Sequence, residues 1–436
     1  MTVEDRLRGT SEALSGALRE VRPLILPPGR PGRVRPPRAP RRWPGWVVPL
    51  TAAVAVIALA LTLAAVRDSR GASPAPPAPV TNPAAATIPR YYVQLDAHTL
   101  ASDYQRAAIV GDSRTGRVLA TVKPPAHLTF VGVTGAADDR TFVFDAVSAT
   151  QVSQANHVTP GTHSWYLLRI APGTPHPTTL TRLPIAALSD SAQVDGVALS
   201  PEAGTLAILY QSGVLSGSPG PYTLRTFALS TGKALRTWTA PAGKGQVGMT
   251  SVADSDDEVG LTWTADGHTL AFVFPPYTWP DEERTLKVAG QGATKGGSKG
   301  ASLLADSRSV LAIPGDRHNC VSLLMSANGR TMVCGTLGNA TGGCRQQEPE
   351  FDLYSTATGK LTRVLFRYQG TCTSASADLV WTGAGGTAIG VIQADHSTKQ
   401  RTTIDYTVGV LTAGKFTPLP VPMPAGYGFY TGTLAF

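Results

Sequence analysis

The stretch Leu261–Phe272, LTWTADGHTLAF, decides how the rest of the chain is read. It sets an Asp, a Gly and a His side by side, and so offers either a fragment of an active site or the tip of a hairpin. Taking Asp266-Gly267 as a two-residue turn pairs Ala265 with His268, Thr264 with Thr269, Trp263 with Leu270 and Leu261 with Phe272. The four large apolar residues then share one sheet face, while Thr262 and Ala271 share the other. A strand has a side-chain period of two, so a hairpin in the right register gives that consistency. Backbone geometry therefore accounts for Asp266 and Gly267, and His268 flanks the turn.

The same pattern returns along the chain. FVGVTGAADDRTFVF spans 130–144, VALSPEAGTLAI spans 197–208, LLMSANGRTMVC spans 323–334, and VWTGAGGTAIGV spans 380–391. Turn positions fall at Asp138-Asp139, Asp266-Gly267 and Asn328-Gly329. With Phe142, Leu206, Leu270, Met332 and Ala388 as equivalent points, the steps are 64, 64, 62 and 56 residues. A second hairpin signature alternates with the first: SRTGRVLATV from Ser113, STGKALRTW from Ser230, TATGKLTRVL from Thr356 and LTAGKFTPLP from Leu411. RIAPGTPHPTTLTRLP from Arg169 fills the same slot. In these stretches Gly supplies the left-handed backbone of a turn.

Two hairpins per period make one four-stranded antiparallel unit, apolar on both faces. Such units bury those faces only by stacking, which predicts an all-β propeller. Five complete copies are visible. YYVQLD, RAAIVGD and RVLATVKP near the start, with YGFYTGTLAF at the end, supply a composite sixth blade that closes the ring and removes its edges. Six blades are expected. Seven is the alternative, because 284–319 is irregular and GQGATKGGSKG at 290–300 reads as a loop insertion in the fourth blade's outer half.

Residues 43–66, WPGWVVPLTAAVAVIALALTLAAV, carry no charge. About 20 such residues span a bilayer core, and Trp43 and Trp46 suit an interface. The 42 residues before this segment are longer than the leader of an ordinary cleaved signal peptide. Residues 1–42 hold ten Arg against four acids, and only two Arg lie just beyond the segment. The positive-inside rule then places the N-terminus in the cytoplasm and the propeller outside a plasma membrane crossed once. Residues 3–21 have the apolar spacing of a short amphipathic helix, either lying on the membrane or docking a cytoplasmic partner. The rest of 1–42 is a Pro- and Arg-rich linker suited to anionic lipid heads. Residues 67–89 form an Ala- and Pro-rich spacer, and 90–436 form the propeller. Outside the first 70 residues the net charge is only +1, so no domain is basic enough to predict nucleic-acid binding.

The stretches ALSPEAGTLAI, LTWTADGHTLAF, STGKALRTW and YSTATGKLTRVLF resemble those of WD40-like and TolB-like propellers. More narrowly, together with a basic arm and one membrane helix, they resemble the membrane-anchored WD40 repeat proteins of actinomycetes. The likeness covers about residues 91–436. It departs from true WD40 repeats, which carry Gly-His and Trp-Asp dipeptides at blade positions. It implies a propeller and leaves the function open, since such rings serve as scaffolds, sensors, lectins and enzymes.

No catalytic, cofactor or metal site is predicted. The eight His (98, 127, 157, 163, 176, 268, 318 and 396) lack metal-ligand spacing. The acids Asp254, Asp256, Asp257 and Glu258 read as a solvated loop, with weak calcium binding as the alternative. Neither a phosphate loop nor a Gly-x-Ser-x-Gly elbow occurs. Cys320, Cys334, Cys344 and Cys372 fall within the fifth repeat and its loops and are expected to form two structural disulfides. Cys320–Cys334 and Cys344–Cys372 close the shortest loops. Simple register, however, sets Cys334 opposite Leu323 and Cys320 opposite Leu337, so the first bond needs a bulge.

Three functions follow. The first is a binding or scaffold module for an extracytoplasmic protein, glycan or envelope ligand. The second is a transmembrane regulator acting through residues 1–21. The third is a propeller hydrolase or lyase, which requires carboxylates or His from different blades to meet at the central mouth.

Overall fold

A computed structural model describes residues 88–96, 107–152, 158–171, 180–189, 192–213, 220–241, 260–274, 282–288, 301–312, 320–337, 348–370, 372, 374–383, 387–396, 403–412, 414–423 and 431–436. All lie in one compact unit, Val80–Phe436. The helix expected at 3–21, the segment 43–66 and all but the last two residues of the spacer lie outside the described residues. Among the described residues no helix is long and apolar enough to cross a membrane.

The strands follow the repeats. Strands β1 (Tyr91–Leu95), β2 (Ala108–Asp112) and β3 (Val118–Val122) come first. The second sheet holds β4 (Leu128–Gly135), β5 (Thr141–Val152), β6 (Val158–Arg169) and β7 (Thr181–Arg182). The third holds β8 (Gln193–Leu199), β9 (Thr205–Gln211), β10 (Tyr222–Ala228) and β11 (Ala234–Ala240). In the fourth, β12 (Thr262–Trp263), β13 (Thr269–Phe274) and β14 (Glu282–Lys287) precede an excursion. There β15 (Ala301–Ser302) and the one-turn helix α1 (Leu303–Asp306) lead to the outer strand β16 (Ser307–Ala312). The fifth is β17 (Cys320–Met325), β18 (Thr331–Thr336), β19 (Glu350–Ser355) and β20 (Leu361–Arg367). The sixth is β21 (Ser374–Thr382), β22 (Ala388–Asp395), β23 (Ile404–Thr412) and β24 (Lys415–Pro418).

The last strand, β25 (Leu434–Ala435), returns to the start of the ring. It pairs antiparallel with β1, through Val93 with Ala435 and Gln94 with Leu434, so the first sheet runs β25-β1-β2-β3. The fold is a six-bladed β-propeller.

The seventh blade is thereby ruled out. The irregularity at 284–319 has a physical source: β15 leaves the fourth blade and pairs in parallel with β11 of the third, through Trp238 with Ala301. That pairing covers an outer edge that would otherwise expose unpaired N–H and C=O groups.

Six apolar clusters, one at each blade boundary, form the core. Strand alternation builds them. On β9, Leu206 and Ile208 face the second blade, while Ala207 and Leu209 face the fourth. The five residues aligned from the repeats, Phe142, Leu206, Leu270, Met332 and Ala388, are all 0% exposed. Tyr92, second residue of β1, is 0% exposed as well and supplies the sixth.

Candidate functional site

The inner hairpins position one end of the ring. At Thr264–Thr269, Gly267 N–H donates to Thr264 O (2.9 Å) and Thr264 N–H to Thr269 O (2.9 Å). The loop is therefore four residues long with a left-handed Gly267 (φ 66°), in place of the two-residue turn expected. Trp263 still pairs with Leu270 and Thr262 with Ala271, because both loops share one register. The Ala265–His268 pair is lost instead. Ala265 N–H turns to the next blade and donates to Ala327 O at 2.6 Å. A side chain closes the turn: Asp266 Oδ1 accepts from Thr264 Oγ1 and from His268 N–H (2.9 Å). These bonds, the Thr264 one foremost, hold the Asp266 carboxyl below its usual range.

The same loop recurs at 136–141, 200–205 and 326–331, with Asp139 (φ 51°), Ala203 (φ 54°) and Gly329 (φ 67°) where Gly267 stands. Asn328 repeats the Asp266 role, accepting from Ser326 Oγ and Arg330 N–H. Asp138 accepts from Arg140 N–H, Thr141 N–H and Thr141 Oγ1.

The innermost strands of all six blades enclose a cavity of about 460 Å³ at the ring axis. Its walls are Val133–Gly135, Val197–Leu199, Leu261–Trp263, Leu324, Leu379–Thr382 and Leu434–Phe436. The charged lining residues are Arg114, Asp138 and Asp139, and all three belong to hairpin loops at the turn end. Both acids are already engaged there. Asp138 closes its own loop, and Asp139 Oδ2 accepts from Arg90 N–H at 2.6 Å. No acid–base pair converges on this lining, and most loops at the opposite end lie outside the described residues.

Polar groups inside the walls were harder to read from the sequence. His163 Nδ1 lies 2.8 Å from Asp145 Oδ2, and both side chains are buried. Burial pushes the imidazole down, but the charge and hydrogen bond of Asp145 outweigh it and raise the His163 pKa. Asp145 interrupts the apolar run FVFDAV, and that interruption was the available signal. Burial raises Asp195 and Glu283 well above the usual carboxylate range. Glu283 has no hydrogen-bond partner among the described residues. It pairs across strands with Val273 and Leu311, which pack at the boundary with the fifth blade.

Cys320 and Cys334 form a disulfide, with Cα atoms 5.4 Å apart. A bulge between Cys320 and Ser322 moves Cys320 opposite Thr336, in place of Leu337, and brings it within reach of Cys334. Cys372 is also disulfide-bonded, and Cys344 lies outside the described residues. His98, His157, His176, His318 and the acids 254–258 lie outside them too. Among the described residues no group of three His, Cys, Asp or Glu is placed to hold a metal ion.

No protein-family model matches the chain, and no curated protein does. Solved structures do. TolB from Acinetobacter baumannii is similar at 11% identity and a TM-score of 0.44, covering 80% of this chain and 67% of that one. The β-propeller domain of the Trilobed protease from Pyrococcus furiosus, described as having an open velcro topology, is similar at 7% and 0.33, covering 67% and 71%. The acylaminoacyl peptidase of Pyrococcus horikoshii is similar at 10% and 0.31, covering 52% of this chain and 32% of that one. This chain thus spans about a third of the peptidase. Identities of this order speak to fold, and the expected likeness to TolB-like propellers holds at that level.

Proposed function

We propose that the protein is a membrane-anchored, extracytoplasmic binding module whose axial cavity takes an uncharged segment of an envelope protein. The observation that carries this reading is the lining: neutral walls from six blades, with mouth acids already committed to their own loops. Concave, mostly apolar cavities with few polar groups suit binding. Hydrolysis needs a nucleophile or paired acid and base within reach of one substrate atom. The uncharged 43–66 segment and the Arg-rich flank before it support the membrane location.

A photo-crosslinking residue at Ala265, which is exposed and lines the cavity, tests the reading in the full chain in its native membrane. The expected result is one discrete adduct that protease digests and that a probe at the exposed Thr407 does not give. No adduct at Ala265, or the same adducts from both positions, overturns the reading. An adduct that only glycosidases digest transfers the site to a glycan.

A further inference from the structure

The turn end of the ring has a lopsided charge, and the lopsidedness coincides with where the chain enters. Outer hairpins of four blades share one loop. Gly116, Gly232, Gly359 and Gly414 are all left-handed and are followed by Arg117, Lys233, Lys360 and Lys415. Each of these loops packs on the preceding blade. A side chain at Gly414 would sit 3.6 Å from Leu365 O of the fifth blade, and one at Gly116 would strike Pro420 O of the sixth. The outer turns of blades five, six and one therefore form a continuous rim.

That rim carries Lys360, Arg363, Lys415, Arg114 and Arg117, all exposed. None of them makes an ion pair among the described residues. Val118 (48%) and Leu361 (47%) stand among them, two of the few large apolar side chains left exposed. The inner turn of blade five adds Arg330, and the sequence of the inner turn of blade six, TGAGGT, has no charge. The acids of this end, Asp138, Glu202 and Asp266, belong to blades two, three and four. Asp112, the one carboxylate in the basic sector, is buried and bonded to Arg90 at 3.1 Å.

Arg90 and Tyr91 begin blade one beside this rim, and Ile88 and Pro89 line the cavity mouth at the same end. The chain preceding residue 88 therefore arrives at the basic sector, and the uncharged segment 43–66 lies only 21 residues upstream. A tether at this corner holds the basic sector toward any bilayer that contains 43–66.

We infer that the turn end of blades five, six and one docks edge-on against an anionic lipid surface, with Val118 and Leu361 entering the headgroup layer. Basic residues near such a surface each contribute attraction that decays within a Debye length, and exposed apolar side chains among them add burial. The contact leaves blade four, with Ala265, on the far side of the mouth. It therefore uses residues other than those of the proposed ligand cavity, and the two can fail separately.

The ring unit 80–436 has its own closed core, so it can be tested with vesicles directly. It should sediment with phosphatidylglycerol–phosphatidylcholine vesicles, stay in solution with pure phosphatidylcholine, and release at about 0.5 M salt. R117E/K360E/K415E should weaken binding ~10-fold or more with an unchanged melting curve. If that variant does not fold, the milder K360Q/K415Q should still weaken it measurably. In full chain reconstituted in nanodiscs, hydrogen exchange at 113–118 and 356–363 should be slower with the anionic lipid than with the neutral one. Equal binding to both lipids, binding indifferent to these substitutions, or exchange that ignores the lipid overturns the inference. Failure to bind anionic vesicles at low salt also overturns it, and assigns the basic sector to an acidic protein surface.

Discussion

The indole Nε1 of Trp263 donates to the backbone oxygen of Ala198 at 3.2 Å, tying the innermost strand of blade four to that of blade three. Trp263 is 9% exposed and packs with Leu261, Leu270 and Phe272. One side chain thus contributes both apolar area and the only donor offered to a carbonyl inside the wall. Trp263→Phe should cost about 1–3 kcal/mol, the range for orphaning a buried acceptor, and Trp263→Ala about 3–5 kcal/mol. Urea denaturation of 80–436 reads both, and equal losses would show that the hydrogen bond contributes nothing.

Ala203 stands at φ 54°, where blades four and five use Gly267 and Gly329. A Cβ in the left-handed region costs roughly 1 kcal/mol, which exceeds the entropic cost of adding a glycine to the unfolded chain. Ala203→Gly should therefore raise the thermal midpoint slightly. A fall in the midpoint would refute the strain argument.

Glu283 gives a pH signature. Burial raises its folded pKa well above the unfolded value, so the folded state keeps a proton that the unfolded state releases. Stability is full below the unfolded pKa of about 4.3 and declines as pH rises toward the folded pKa, by about 1.4 kcal/mol per pH unit at most. Glu283→Gln lacks this slope. Its midpoint should match that of the parent near pH 4 and exceed it increasingly toward pH 8. A pH-independent gap between the two proteins would count against the assignment.

The Cys320–Cys334 bond closes a loop of sequence separation 14. A loop of that length restricts the unfolded chain by roughly 3 kcal/mol. C320S/C334S should lose about 2–3 kcal/mol by denaturation in the absence of reductant. Adding reductant should bring the parent down toward the variant.

Leu434, Ala435 and Phe436 are all buried, and β25 is the innermost strand of blade one. Phe436 also stands 6.2 Å from the Tyr92 ring. Removing 434–436 should abolish a single cooperative melt, leaving broad unfolding by calorimetry. A sharp, parent-like transition would mean that the ring does not depend on its closure.

The fold was legible because each blade repeats one rule. Alternating apolar runs and a loop motif at Asp266-Gly267 and Asn328-Gly329 mark the inner hairpins, and Thr-Gly-Lys marks the outer ones. Loop length was less legible: Asp266-Gly267 suits a two-residue turn, yet the Thr264 hydroxyl and its bond to Asp266 extend the loop to four. The bulge that joins Cys320 to Cys334 leaves no mark in apolar alternation either. The cavity and the basic sector arise from residues far apart in the chain, such as Arg117 and Lys360, and only ring closure makes them neighbours. Asp145 and Glu283 were visible as charges within strands, but the sequence does not say which groups face them.

The pairing of Val93 with Ala435 also has a temporal consequence. Segments generally acquire structure in the order in which they are synthesised. Here the second strand of the first blade must wait for a partner that is made last. Until those residues emerge, the Tyr91–Leu95 edge is open to any extended chain nearby. The ring is thus its own proofreading step: a polypeptide cut short in translation cannot conceal that edge, and remains recognisable to proteases as unfinished.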